Sequence, residues 1–366
     1  MAEQALDFIV DKQDWAKTRF VEGTVPEPGA GQVLFRVDRF ALTANNITYA
    51  FAGDMLGYWR FFPADEGWGR IPVMGFADVV RSRHPEVKEG TRCFGFYPMS
   101  RHLVIQPGAV SAAQIVDAAP HRADLAPTYA QYLPTTGDAV YRPEREDEIL
   151  LMRGLFMTSF LADDFLAESG YRGARSVLIS SASSKTSIAL AFQVKRGGRA
   201  RAVGLTSARN AEFVRKLGFY DDVVLYDEIG SLPSDEPAVF VDMAGDGAVT
   251  AAVHRRLGDA LKYDCTIGAT HWSAERRTED LPGPKPEFFF APAQIVKRTQ
   301  EWGPQGLAKR IAEGWTRFCD ASDAWLRVVR SQGREALARV YQDVLAGRSE
   351  PADGHILTLQ ENPTWK

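Results

Sequence analysis

The sequence has few of the residues that build disulfide frameworks and metal centres. Its 366 residues include three cysteines, an odd number, at the distant positions Cys93, Cys265 and Cys319. So few and so widely spaced thiols indicate neither a disulfide framework nor a zinc cluster. The six histidines are also scattered along the chain. The sequence therefore predicts no metal site.

Clustered charge of one sign and long hydrophobic runs are also absent. The formal net charge is −4, whereas a surface that binds nucleic acid needs clustered basic residues. No stretch approaches the roughly 20 apolar residues that a membrane-spanning helix requires. The N-terminal residues MAEQALDFIVDKQDW are polar and acidic, whereas a secretory signal begins with basic residues followed by an apolar run. We therefore expect a cytoplasmic enzyme with no nucleic-acid or membrane partner.

Two hydrophobic patterns divide the chain, whose length suits two domains. In the first part, Val33, Phe35 and Val37 recur with the period of a half-buried strand, and the short runs IPVMGFADVVRS, TRCFGFYP and SRHLVIQPG follow. From about Leu151, the strand candidates VLISS, ARAVGL, DDVVLY, AVFVDMAG and DCTIGAT alternate with helical patterns. Such alternation predicts an α/β fold with a Rossmann-type, doubly wound parallel sheet beside a β-rich domain.

These patterns predict three regions. Residues 1–140 form a β-rich substrate domain, and residues 141–300 form the Rossmann-type cofactor domain. Residues 301–366 form two helices and the strand HILTLQ, which we expect to return to the first domain.

A serine-rich turn between a strand and a helix is the most informative feature of the chain. Ser181, Ser184 and Ser187 stand at the spacing that glycines usually hold in a dinucleotide-binding turn. Serine keeps the small volume of the turn and adds a hydroxyl that can bind phosphate, but it restricts φ. A buried strand precedes the turn and a helix follows it, which is the setting of a pyrophosphate site.

Amides and hydroxyls at the start of this helix are the predicted pyrophosphate ligands, with a lysine as counter-charge. The candidates are Ser181, Ser183, Ser184, Lys185 and Thr186. The alternative is that the chain has kept the fold and lost the cofactor.

The end of the second strand predicts which cofactor binds. Leu205 is followed by Thr206-Ser207-Ala208-Arg209-Asn210, with no acidic residue to bind a ribose 2′-hydroxyl. Ser207, Arg209 and Asn210 offer donors to a 2′-phosphate instead, which favours NADP(H) over NAD(H). These residues can also cap the helix ARNAEFVRKLG, and the two uses are compatible.

Several segments resemble the medium-chain dehydrogenase/reductase superfamily, in its zinc-free quinone-oxidoreductase and enoyl-reductase branch. PGAGQVLFRVDRFALTANNITY is similar to its opening strand and substrate-cleft loop, and HILTLQ is similar to its final strand. Gly75-Phe76-Ala77 lacks the histidine and glutamate of zinc-bearing members, which implies a zinc-free enzyme. AVFVDMAGDGAV is similar to the strand and loop near the cofactor's nicotinamide end, which implies a cofactor contact at Ala244. The resemblance implies a GroES-like first domain.

The resemblance also implies a proton donor. Tyr58 falls where the enoyl-reductase branch carries Gly-x-Tyr before a Pro-rich loop. Asn45 and Tyr49, on an earlier loop, are candidates to orient a substrate oxygen, and His271 follows a strand at its ligand-binding end. The alternatives are that the tyrosines are surface aromatics and that the histidine binds a loop carbonyl. Tyr97 is a further candidate.

Two aromatic-rich segments have alternative readings. The first segment contains five aromatic residues, Tyr58, Trp59, Phe61, Phe62 and Trp68. We expect them to line the mouth of an apolar cleft, or else to form a loop core or a dimer contact. In the resembling family the region of PEFFFAPAQI is an edge strand that pairs with its twin, which implies a homodimer. Burial within one subunit is the alternative.

The predicted function is reduction of an activated C=C or C=O group in a small apolar substrate by an NADP(H)-dependent, zinc-free oxidoreductase. The alternative is a protein of the same fold that reduces nothing, either a lyase or hydratase or a cofactor-free binding protein. The serine turn distinguishes the two.

Overall fold

A computed structural model describes residues 4–267, 281–361, 363 and 365. The chain forms two compact units. The first comprises Met1–Leu151 and Arg327–Lys366, and the second comprises Met152–Leu326.

The first unit is rich in strands. Its strands are β1 (Gln4–Asp11), β2 (Thr18–Thr24), β3 (Val33–Leu42), β4 (Trp68–Gly69), β5 (Pro72–Ser82), β6 (Arg92–Pro98), β7 (His102–Ile105), β8 (Pro107–Val110), β9 (Ile115–Asp117), β10 (Gln131–Pro134), β17 (Arg327–Gln332) and β18 (Asp353–Thr358). Its helices are α1 (Ala44–Phe51), α7 (Gly333–Leu345) and the first residues of α2 (Glu146–Glu168).

Strand β3 is central to the larger sheet of this unit. It pairs antiparallel with β5, β7 and β18, and nine of its ten residues are buried. The C-terminal strand β18 lies between β3 and β17, so the end of the chain joins the sheet of the first unit. Strand β17 was not predicted: its six residues RVVRSQ are all partly or fully exposed, so the sequence carries no alternation of apolar and polar residues.

The second unit alternates strands with helices. Its strands are β11 (Ser176–Ile179), β12 (Arg201–Thr206), β13 (Asp222–Leu225), β14 (Ala238–Asp242), β15 (Leu261–Thr266) and β16 (Glu287–Phe288). Its helices are α3 (Lys185–Gly197), α4 (Ala208–Lys216), α5 (Gly247–Leu257), α6 (Ala291–Ser322) and the rest of α2.

The strands of the second unit form one parallel sheet in the order β13-β12-β11-β14-β15-β16. Apolar residues from adjacent strands, among them Leu178, Leu205 and Phe240, pack with Val253 and Leu257 of α5. Parallel strands buried on both faces need such continuous apolar runs. The predicted fold class, a doubly wound parallel sheet with a separate β-rich unit, is confirmed.

Candidate functional site

The serine turn follows β11 and begins with a residue in an unusual conformation. Ser181 has φ of +50°, in the left-handed region that favours glycine. Its backbone N–H donates to the hydroxyl oxygen of Tyr226 at 3.0 Å. Burial is the main cause that raises the pKa of Tyr226, to about 12, so the hydroxyl stays protonated at neutral pH. A serine thus keeps the backbone path that glycine gives to dinucleotide-binding turns.

Two hydroxyls of the turn are used inside it. Ser184 is the N-cap of α3, and its Oγ accepts a hydrogen bond from the backbone N–H of Ser187 at 3.2 Å. Ser184 Oγ also lies 2.9 Å from Ser187 Oγ, and Ser187 Oγ donates to the carbonyl oxygen of Ser180 at 2.9 Å. Ser187 is fully buried, so its hydroxyl is satisfied where the helix packs on the strand. The backbone N–H groups of Ala182 and Ser184 are also used within the protein, as donors to the carbonyl oxygens of Leu205 and Ser181. These bonds fix the shape of the turn.

The start of α4 is linked to the serine turn. The side-chain amide of Asn210 donates to Ser183 Oγ at 2.9 Å. Ser207 occupies the N-cap position of α4, but its side chain makes no capping hydrogen bond, and Arg209 is exposed in the first turn of the helix. Helix capping alone therefore does not account for this group, which lies at the carboxyl end of β12 beside the turn.

A buried serine and aspartate clamp the loop that carries Ala244. Ser180 Oγ donates to Asp242 Oδ1 at 2.8 Å and accepts the backbone N–H groups of Met243 and Ala244 at 2.8 and 2.9 Å. Asp242 Oδ1 also accepts the N–H groups of Ala244 and Gly245, both at 3.0 Å. The clamp joins the carboxyl ends of the adjacent strands β11 and β14, where ligands of doubly wound sheets bind. The sequence prediction missed Ser180 and Asp242, although Ser180 directly follows a buried strand and Asp242 ends one.

A cluster of aromatic side chains in the first unit contains two of the predicted substrate residues. We call Tyr49, Tyr58, Phe61, Phe96 and Tyr129 the tyrosine cluster. The ring centroids of Tyr58 lie 5.1 Å from Tyr49 and 5.7 Å from Tyr129, with interplanar angles of 60° and 81°. The hydroxyl oxygens of Tyr58 and Tyr129 are 3.3 Å apart. Tyr129, on a short 3₁₀ turn (Pro127–Ala130), carried no recognisable signal in the sequence.

The phenols of Tyr49 and Tyr58 are neutral at physiological pH. Burial, followed by the charges of neighbouring tyrosines, raises the pKa of Tyr49 well above its ordinary value, against a smaller lowering by the Asn45 side chain. Burial also raises the pKa of Tyr58, with the hydrogen bond to Tyr129 as the next cause. Neutral phenols donate hydrogen bonds, so the cluster is suited to bind an oxygen atom that gains negative charge.

Asn45 and Tyr49 lie on helix α1 and not on the loop that the sequence predicted. Thr43 is the N-cap residue of the helix, and its backbone N–H and Oγ both donate to Asn46 Oδ1, at 2.8 and 3.1 Å. Asn46 also donates from Nδ2 to the carbonyl oxygen of Pro72, which ties the helix start to β5.

The other aromatic candidates have different surroundings. Trp59 is buried between Gly53 and Gly69, where a Cβ atom at either glycine would overlap the indole ring, so it belongs to a loop core. Trp68 stacks under the guanidinium of Arg19 at 4.2 Å. Tyr97 is fully buried and donates to the carbonyl oxygen of Cys93 at 3.2 Å.

Three further observations concern His271, metal binding and membrane spans. His271 lies outside the described residues. Within residues 4–267, 281–361, 363 and 365, no group of three or more His, Cys, Asp and Glu side chains is placed to hold a metal ion. In the same part of the chain, no helix has the length and apolarity needed to cross a membrane.

One family model and several solved structures are similar to this chain. A model of a family described as "Protein of unknown function (DUF2855)" matches residues 40–350. No curated protein matches the chain in sequence.

Several solved structures have the same fold over nearly the whole chain. CurA from Vibrio vulnificus has a TM-score of 0.64 at 13% identity, covering 98% of this chain and 99% of its own, and it is also solved with NADPH. CurK enoyl reductase has a TM-score of 0.54 at 13% identity, with coverage of 97% and 99%. The YhdH oxidoreductase from Salmonella enterica, in complex with NADP, has a TM-score of 0.53 at 14% identity, with coverage of 97% and 100%. These likenesses confirm the two-part fold that the resemblance implied.

Proposed function

We propose, from the premise that this chain belongs to the DUF2855 family of proteins of unknown function, that it is an NADP(H)-dependent, zinc-free reductase. Its substrate is a small apolar molecule with an activated C=C or C=O group. The observation that carries the proposal is the glycine-like conformation of Ser181 at the turn between β11 and α3. CurA and YhdH, which have this fold, are solved in complex with NADPH and NADP, respectively.

The residues of the turn fit a dinucleotide. Ser181 is held at positive φ, and α3 begins at Lys185 directly after the turn, so the positive end of the helix lies at the turn. Gly204 of β12 packs closely on the turn, because a Cβ atom there would lie 3.0 Å from Ala182 Cβ. Ser183, Ser184, Lys185 and Thr186 would hold the pyrophosphate. The bound cofactor would supply the hydride for reduction.

The preference for NADP(H) over NAD(H) rests on the residues that follow β12. Arg209 is exposed, Ser207 does not cap its helix, and Asn210 is bonded to Ser183 in the turn itself. These three residues would bind the 2′-phosphate, and Ala244 would line the path toward the nicotinamide. An arginine is well suited to such a dianion because its guanidinium can donate two parallel hydrogen bonds.

The tyrosine cluster supports reduction of a conjugated or carbonyl substrate. Tyr58 would donate the proton, and Asn45 and Tyr49 would orient the substrate oxygen. Phe61 and Phe96 are buried and give the cluster apolar walls. A zinc-independent reaction is consistent with Gly75-Phe76-Ala77, which lies in β5 and offers no metal ligand.

A homodimer is part of the proposal. Strand β16 is the last strand of the parallel sheet, and Phe288 and Phe290 are 69% and 52% exposed. An open sheet edge with exposed phenylalanines is an aggregation hazard unless another chain covers it. A second copy pairing at β16 would cover it.

The test is a titration of the protein with NADPH and NADH, followed by quenching of tryptophan fluorescence. We expect NADPH to bind at least about tenfold more tightly than NADH, which corresponds to about 1.4 kcal/mol and is within reach of one charge-assisted hydrogen bond. Arg209→Ala should abolish the preference, whereas Arg215→Ala, an exposed arginine on the same helix, should keep it. Absence of binding by both cofactors would reject the reductase and leave a lyase, hydratase or cofactor-free binding protein.

A further inference from the structure

The hydroxyls of Tyr58 and Tyr129 form a pair at the partly exposed side of the tyrosine cluster. Their oxygens are 3.3 Å apart, and either can be the donor. A phenol carries one hydrogen and accepts others, so when one hydroxyl donates to its partner, the partner's own hydrogen remains available to a third oxygen. Both side chains are partly exposed, unlike the fully buried Tyr97 and Tyr132. The pair can therefore reach a ligand.

The surroundings distinguish the roles of the two tyrosines. The ring of Tyr129 packs against Phe61 at 5.0 Å and Phe96 at 5.5 Å, both of which are buried. Tyr58 directly follows a segment in which Met55 and Leu56 are 72% and 52% exposed. Tyr58 also packs against Phe61, at 5.8 Å, so both tyrosines contact the buried rings, and the exposed segment before Tyr58 is what favours Tyr58 as the member that meets a ligand.

We propose that Tyr58 and Tyr129 form an oxyanion-binding pair, in which Tyr58 donates to a substrate oxygen and Tyr129 positions Tyr58. This inference rests on the proposed reductase function. Tyr58 is the catalytic residue because it touches the substrate, and Tyr129 acts through it. The substrate class is an aromatic or conjugated carbonyl compound with its oxygen at one end.

In the proposed reaction, reduced nicotinamide supplies the hydride and the tyrosine pair supplies the proton. Addition of hydride to the carbonyl carbon, or to the β-carbon of an enone, moves the π electrons onto the substrate oxygen. The O–H bond of Tyr58 then breaks, and its proton passes to that oxygen. Tyr129 donates a hydrogen bond to the resulting phenolate, and water returns the proton to Tyr58. The substrate is reduced and the nicotinamide is oxidised.

The aromatic walls and the approach to Tyr58 determine the substrate class. The rings of the cluster meet mostly edge to face, with interplanar angles of 60° between Tyr49 and Tyr58 and 87° between Tyr49 and Tyr129. Aromatic pairs prefer this geometry, and an aromatic ligand at the exposed side of the cluster would adopt it too. Phe51, Met55 and Leu56 add exposed apolar surface to the segment before Tyr58. We therefore expect a flat apolar substrate.

The test uses 4-nitrophenol as a probe, without any cofactor. Its phenolate has a visible absorption band, so the ionisation state of the bound probe can be measured directly. We expect the phenolate to bind about tenfold more tightly than the neutral phenol, because hydrogen bonds to a charged oxygen are stronger than those to a neutral one. The apparent pKa of the bound probe should fall accordingly. 4-Nitroanisole, which has the same ring and cannot ionise, should bind as weakly as the neutral phenol.

Variants separate the roles of the two hydroxyls. Tyr58→Phe and Tyr129→Phe keep the rings, and each should abolish the preference for phenolate. Tyr341→Phe is the matched control, because this buried tyrosine donates to the carbonyl oxygen of Trp15 away from the cluster. If Tyr129→Phe keeps the preference, Tyr129 has no positioning role; if the unmodified protein binds nitroanisole as tightly as nitrophenolate, the pair does not bind an oxyanion.

The cofactor titration distinguishes failure of the oxyanion pair from failure of the proposed reductase function. NADPH binding without a preference for phenolate overturns the oxyanion pair and leaves the reductase. A preference for phenolate without NADPH binding overturns the reductase and supports the pair as an oxyanion site. Misfolding of a variant does not affect the comparison of nitrophenolate with nitroanisole, which needs only the unmodified protein.

Discussion

The backbone N–H of Ser181 donates to the hydroxyl oxygen of Tyr226 across 3.0 Å. This bond holds a serine at φ of +50°, in a region where a residue with a side chain carries a cost of about 1–2 kcal/mol. Tyr226 begins a short 3₁₀ segment after β13, so a strand two places away in the sheet supports the turn at the end of β11. The turn thus keeps its shape through a tertiary contact, where a glycine would need none.

The first prediction concerns Tyr226→Phe. The substitution keeps the ring and removes the acceptor of a buried N–H, so the free energy of unfolding should fall by about 1–3 kcal/mol. Urea unfolding measures the change. Burial raises the pKa of Tyr226 to about 12, so the loss should be the same at all pH values near neutrality. Tyr263→Phe, whose hydroxyl bonds to the exposed Glu287, should cost less; an equal loss would mean that the turn does not depend on Tyr226.

The second prediction ranks substitutions at Ser181. Glycine adopts positive φ without strain, whereas a β-branched residue is a clear outlier there. Ser181→Val should therefore be less stable than Ser181→Gly by about 1–2 kcal/mol. Thermal and urea unfolding of the two variants provide the comparison. Equal stability would indicate that the backbone at this position relaxes out of the left-handed region.

Periodic patterns in the sequence were enough to predict the fold class. The buried runs VLI, AVGL and AVFVD became β11, β12 and β14, because parallel strands covered on both faces need continuous apolar residues. Ser184 was recognisable as a helix start, since serine at the N-cap is a local signal. Helix α1 was missed because ANNITYAF lies in a segment read as a loop by resemblance, although Thr43 and Asn46 form a capping box.

Contacts between residues distant in sequence could not be predicted. The clamp between Ser180 and Asp242 joins residues 62 positions apart, and the pair of Tyr58 and Tyr129 joins residues 71 positions apart. Neither pair has a local pattern, because each depends on how strands and turns are ordered in space. The positive φ of Ser181 was likewise invisible, since residue type suggests glycine for that conformation.

The third prediction concerns Lys185, the first residue of α3. A cation at a helix N-terminus is unfavourable in itself, and a phosphate at the same place reverses this. Lys185→Ala should weaken NADPH binding by about tenfold, roughly one charge-assisted contact. Lys185→Arg keeps the charge and should bind within about threefold of the unmodified protein. Fluorescence titration measures both, and unchanged affinity in the alanine variant would remove Lys185 from the phosphate site.

The fourth prediction tests the dimer at β16. Phe288 is 69% exposed on the open edge of the sheet. Phe288→Lys should shift the protein from dimer to monomer in sedimentation velocity, because a charge on an edge strand opposes pairing between strands. Val296→Lys, at an exposed position on α6, is the control for added charge. A monomeric unmodified protein would reject the dimer directly.

The last prediction concerns a buried pair in the second unit, His254 on α5 and Asp264 on β15. Both side chains are fully buried, with His254 Nε2 2.7 Å from Asp264 Oδ2 and Nδ1 2.8 Å from the carbonyl oxygen of Pro282. A carbonyl only accepts, so Nδ1 carries a hydrogen, and a further proton lies between Nε2 and the carboxyl group. Burial lowers the pKa of His254, but its bonds to Asp264 and Pro282 raise it by more. For Asp264, burial has the opposite effect: it is the main cause that raises the pKa of the carboxyl group.

The sign of the pH dependence of stability follows from the raised pKa values of His254 and Asp264. Both pKa values are raised in the folded state, so the folded protein binds the shared proton more tightly than the unfolded chain does. The stabilisation by His254 is fully present below its unfolded pKa of about 6.5, and it is lost as the pH rises through the folded-state pKa. The free energy of unfolding should therefore fall with rising pH above neutrality. In His254→Gln this fall should be smaller, since glutamine does not titrate.

Urea unfolding over a series of pH values measures the slope. His84→Gln, at a surface turn in the first unit where His84 accepts a hydrogen bond from the backbone N–H of Glu86, is the matched control and should keep the slope of the unmodified protein. Asp264→Asn should flatten the slope as His254→Gln does, because either change removes the shared proton. If both variants keep the full slope, the pair binds no extra proton on folding, and the fall in stability must come from other groups.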